Sequence, residues 1–140
     1  MVEESVPFMV GGSEYRLRYE PADVIALERD CMIGYTFIFE MKEIEPGKWT
    51  FVRMSLTHLQ HVIRRGLRIK NAQGDLQYAY PQDSQEGLDR ATKLIQIYLK
   101  DGNGLGDLMV ATRGAMISCG WPMGAFASTG GKEEVDRPKN

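Results

Sequence analysis

The chain is poor in the residues from which catalytic and metal centres are usually built. It holds two cysteines and two histidines in 140 residues. Cys31 and Cys119 lie far apart, which excludes a disulfide-dense secreted scaffold. They read as packing thiols of an intracellular protein, with a single bridge between them left open. No apolar run approaches the ~18 residues of a membrane-spanning helix. The opening residues, Met1-Val2-Glu3-Glu4-Ser5, are acidic and lack the apolar segment of a secretory leader. Positive charge is not in excess either: 17 Lys and Arg against 19 Asp and Glu give a net charge of −2. That balance speaks against non-specific nucleic-acid binding. A protein of the cytoplasm, bound to neither membrane nor nucleic acid, is expected.

What is present is an ordinary globular composition, 43% hydrophobic and 26% charged, in a length that suits one domain. A chain of this size buries roughly two-thirds of its unfolded surface, enough for one core. A single domain is expected over residues 1–123. Residues 124–140 are rich in Gly, Ser and Thr and then charged, which predicts a flexible tail.

Two apolar stretches flank Gly11-Gly12, and Tyr15-Arg16-Leu17-Arg18-Tyr19 alternates, so a β-hairpin is expected with Tyr15, Leu17 and Tyr19 on one face. Pro21 opens a helix, with Asp23 in its first turn and Gly34 as its stop. Residues 35–45 fit either a strand or a short helix, and the short helix is favoured, broken at Pro46-Gly47. Trp49, Val52, Leu56, Leu59, Ile63 and Leu67 recur three or four apart, which predicts one long helix of about five turns. Arg64, Arg65, Arg68 and Lys70 then read as that helix's solvated face. Residues 71–83 are expected as a loop with a short extended piece at 76–80. Ser84 is expected to cap a further helix through its side-chain oxygen, burying Leu88, Ala91, Leu94, Ile95, Tyr98 and Leu99. A last helix follows Gly102-Asn103-Gly104 and runs from Leu105 to Cys119. The fold class is α+β, mostly helical: an N-terminal β-hairpin followed by three to five packed helices.

Few residues are arranged for chemistry. His58 and His61 lie three apart, but no third ligand completes a metal site. Gly102-Asn103-Gly104-Leu105-Gly106 has glycines at dinucleotide spacing but follows a helix rather than a strand, and reads as a helix connection. Cys119 sits at a helix C-terminus, where the dipole opposes thiolate formation. No carboxylate pair suggests acid–base work. No catalytic residue, cofactor or metal is therefore expected, and the chain reads as a protein-binding module rather than an enzyme. Core packing is the favoured role for Trp49. Trp121, between Gly120 and Pro122, stands level between packing and partner contact, and Trp121, Met123 and Phe126 are the candidate protein-binding residues.

The segment Val10-Gly-Gly-Ser-Glu-Tyr-Arg-Leu-Arg-Tyr-Glu-Pro-Ala-Asp-Val-Ile-Ala-Leu-Glu-Arg29, followed by Thr57-His-Leu-Gln-His-Val-Ile-Arg-Arg-Gly-Leu67, resembles the tail assembly chaperones of long-tailed phages and gene transfer agents, over roughly residues 6–120. An aromatic linker after the first helix and a long 71–83 loop depart from that pattern. The resemblance implies a protein of the infected host's cytoplasm, absent from the finished virion. It would coat the tape measure protein, recruit tail tube protein and self-associate. Many such proteins exist in two lengths, the longer made by ribosomal frameshifting near the end of the shorter. The family has no catalytic residues to carry over. A structural head–tail joining or tail-terminator protein, forming a ring, is the alternative.

Overall fold

The computed structural model describes residues 5–123; the tail expected over 124–140 lies outside them. The fold is α+β. Strands β1 (Val6–Val10) and β2 (Ser13–Leu17) form the expected hairpin, in register Val6↔Leu17 to Val10↔Ser13. Gly11 and Gly12 both take positive φ in its turn, where a side chain would be strained. Helices α1 (Pro21–Cys31) and the single turn α2 (Tyr35–Ile38) follow. Then come β3 (Met41–Glu45), β4 (Lys48–Phe51), α3 (Leu56–Gly66), β5 (Leu67–Lys70), β6 (Leu76–Tyr78), α4 (Gln85–Lys100) and α5 (Leu105–Ser118).

The strands make two separate sheets. One is four-stranded and antiparallel, in the order β1-β2-β5-β6; the other is the β3–β4 pair alone. Helix α3 packs between α1 and α4, while α4 and α5 reach β1. The core gathers Phe8, Val10 and Leu17 from the hairpin, Leu59, Ile63 and Leu67 around α3, and Ile95, Leu108 and Met116 from the last two helices. Phe8 and Tyr98 join sheet to helix, with ring centroids 5.5 Å apart. Among the described residues no helix is long and apolar enough to cross a membrane.

Several sequence expectations are corrected. The long helix from Trp49 does not form: Trp49 lies in β4, and α3 starts at Leu56. Ser55 marks that start, its Oγ accepting the His58 N–H at 3.2 Å. The helix ends at Gly66, and Leu67–Lys70 turns to period-two alternation because β2 offers an edge, pairing Leu17 with Leu67. The short helix expected in residues 35–45 covers only Tyr35–Ile38, and Met41–Glu45 is a strand. Gly34 does not stop α1; Met32 does, at φ 58°, and Gly34 instead caps α2. Ser84 holds the N-cap position of α4, but its side chain makes no capping bond.

The largest correction concerns charge. Arg64, Arg65 and Arg68 are buried rather than solvated. For Arg64 and Arg68 the cause lies on α1. Asp23 is fully buried and takes Arg68 at 2.7 Å, the phenol of Tyr78, and the N–H of Glu20 at 2.9 Å, the last as part of the α1 cap. Asp30 takes Arg64 at 3.2 Å. Such pairing offsets the cost of burying an ion. These bonds fasten α1 to the end of α3 and to the sheet.

Candidate partner-binding surface

The β3–β4 hairpin stands apart from the body. Its strands pair with each other and with no other strand, and every residue from Lys42 to Trp49 is exposed. The cross-strand pairs are Met41↔Phe51, Lys42↔Thr50 and Glu43↔Trp49, with a bulge between Glu43 and Glu45. Opposed residues share a face, so Met41, Glu43, Trp49 and Phe51 lie on one side. The Pro46-Gly47 turn is closed by the Gly47 N–H donating to Glu43 Oε2 at 2.9 Å. The root is held by the Val52 N–H donating to the Glu40 carbonyl at 2.8 Å. Arg53 Nη1 donates to the Phe37 carbonyl at 3.0 Å and to Glu40 Oε1 at 2.9 Å.

Six of the twelve exposed large hydrophobics among the described residues belong to this stretch: Phe37, Ile44, Trp49, Val52, Met54 and Leu56. Ile44 is 56% and Trp49 38% exposed, so the core role favoured for Trp49 is not what the fold gives it. The surface mixes apolar groups with Lys42, Glu43, Glu45 and Lys48, the composition of a wet contact rather than of a core.

The residues singled out earlier are placed otherwise. Trp121 is half-buried; its indole N–H donates to the Tyr19 carbonyl at 2.8 Å and its ring meets Tyr35 edge-on, centroids 5.8 Å apart. The Tyr35 hydroxyl in turn donates to the Pro122 carbonyl at 2.7 Å. Met123 is buried in the core. Both close the domain on itself, while Phe126 lies outside the described residues. Ile44 escaped the sequence reading; its place just ahead of Glu45 and the Pro46-Gly47 turn, in an alternating stretch, was the available signal.

His58 and His61 share a face of α3 without forming a centre. Burial and the neighbouring Arg64 hold the His61 imidazole below its usual range. Among the described residues no group of three His, Cys, Asp or Glu has the geometry to hold a metal ion. Burial and Asp30 push the Cys31 thiol up to about 11, so it is not poised as a nucleophile. A half-open cavity of about 260 Å³ lies between the first hairpin and α4, lined by Tyr15, Tyr80, Arg90, Lys93 and Ile97. There burial and the adjoining Tyr15 push the Tyr80 phenol up to about 12, and Arg90 sits 4.8 Å over its ring. These cavity groups provide neither a nucleophile–base pair nor an acid–base pair. No protein-family model, curated protein or solved structure matches the chain.

Proposed function

We propose that this chain is a phage tail assembly chaperone that works by binding without catalysis. Its partners are the tape measure protein, which it holds soluble in the host cytoplasm, and the tail tube protein, which it recruits. The observation that carries the reading is the projecting β3–β4 hairpin with Ile44, Trp49 and the apolar residues at its root. Exposed apolar groups concentrated on one stretch of chain mark contact surfaces. A projecting β arm with a mixed apolar and charged surface fits the amphipathic helices of a long, unfinished assembly protein. The resemblance of residues 10–29 and 57–67 to the chaperone family supplies the identity of that partner.

The same arm supports one other reading, a ring-forming head–tail joining or tail-terminator protein, in which the hairpin reaches onto the next subunit. Co-expression with a phage tape measure protein, followed by size-exclusion chromatography with light scattering, separates the two. The chaperone reading expects soluble tape measure eluting with many copies of this chain. A tape measure that still precipitates, beside a closed ring of this chain alone, replaces it with the ring reading.

A further inference from the structure

Three arginines at the end of α3 and on β5 are each more than nine-tenths buried: Arg64, Arg65 and Arg68. Two have a carboxylate of their own. Arg64 Nη2 lies 3.2 Å from Asp30 Oδ2, and Arg68 Nη2 lies 2.7 Å from Asp23 Oδ2. Arg68 also donates to the Arg65 carbonyl at 2.6 Å and stacks 4.0 Å over the Tyr78 ring. Arg65 differs: among the described residues its guanidinium makes no ion pair. Its buried Nε–H finds no acceptor, as is also true of Arg64 Nε.

The surroundings of Arg65 make this costly. Its charge acts on Arg64, His61 and Tyr78, and the carboxylates of the cluster, Asp30 and Asp23, are bound to Arg64 and Arg68 instead. Asp83 acts on Arg64, but from an exposed position. A guanidinium keeps its proton in proteins, so the charge cannot be shed as a buried lysine would shed it. A buried guanidinium without a carboxylate of its own is stabilised by a counter-charge that arrives from outside. The cluster lies just beneath the surface, because Tyr78 beside it is 39% exposed. The planar fork of Arg65 matches an oxyanion and can donate to two of its oxygens together.

We propose that Arg65 is the receptor of an oxyanion site at the junction of α3 and β6, taking a carboxylate or a phosphate group beside Tyr78. The site follows from the pairing of the buried arginines and does not rest on the chaperone reading.

Thermal unfolding of the full chain in chloride buffer at fixed ionic strength tests it, with inorganic phosphate in one arm and an acetylated, amidated triglutamate peptide in the other. At least one anion is expected to raise the midpoint saturably, by about 3 °C. A rise with phosphate assigns a free phosphate group; a rise with the peptide alone assigns an acidic side chain of a partner. Arg65→Met is expected to start no lower than the parent and to show no rise, whereas Arg68→Met, which strands Asp23, starts well below it. Arg65→Lys covers failure of the Met variant to fold: an ammonium cannot fork, so most of the rise is lost. The proposal is overturned by a rise that persists in these variants, by no rise in the parent with either anion, or by Arg65→Met starting as low as Arg68→Met.

Discussion

The four-stranded sheet and the β3–β4 hairpin are built from similar residues and held in different ways. In the first, alternate side chains such as Phe8, Val10, Leu17 and Leu67 enter the core, and the neighbouring helix locks the sheet through Asp23, Arg68 and Tyr78. The second has strands of comparable length, but its register rests on its own cross-strand pairs, a Gly47 turn and the Arg53 root. A two-stranded ribbon gains little stability alone. Substitutions in the first sheet should therefore unfold the protein, and substitutions in the second should leave it folded and alter what it touches.

The largest effect is expected from Asp23→Ala, which strands Arg68 in the core and removes the α1 cap: a loss of about 3–5 kcal/mol in urea unfolding. A loss below about 1 kcal/mol would show that the network is incidental to the body's stability. Next is Gly66→Ala. A methyl group there overlaps the ring of Tyr19, whose hydroxyl donates to the Val62 carbonyl at 2.8 Å. Overpacking of this kind costs about 1–3 kcal/mol, and the unfolding midpoint measures it.

A smaller effect involves pH. The folded-state pKa of His61 is depressed by burial and Arg64, so the unfolded chain takes up its proton first as pH falls. Its contribution is complete above the unfolded value of about 6.5 and is lost as pH drops through that value toward the folded one. His61→Gln should flatten stability between neutral and mildly acid pH, read from urea midpoints across that window.

The smallest effect on stability is expected from the arm. Ile44→Ser with Trp49→Ala should change the unfolding free energy by less than about 1 kcal/mol while abolishing co-elution with the tape measure protein. If instead the double variant unfolds, the arm belongs to the body and the contrast between the sheets fails.

The first hairpin and the helices α1, α4 and α5 were legible because each has a single apolar period and clear turn residues. The stretch 49–67 was not, since Trp49 and Val52 fall by coincidence at helical spacing from Leu56; the Pro46-Gly47 turn and the Ser55 cap carried the truer information. Burial of Arg64 and Arg68 was invisible because their counter-charges, Asp30 and Asp23, lie over thirty residues away in sequence. The exposed aspect of Trp49 was likewise hidden, because an aromatic residue in a strand suits either face, and only the hairpin's distance from the main sheet decides.

The pairing of Leu17 with Leu67 spans fifty residues, and this sets an order of events during synthesis. Strand β2 has no sheet partner on its far side until β5 leaves the ribosome, whereas the β3–β4 ribbon needs only its own short turn, a closure complete within about ten microseconds. The strands of the arm therefore can meet before the body that carries them is complete, and the growing chain exposes its apolar contacts while half of the main sheet is still missing.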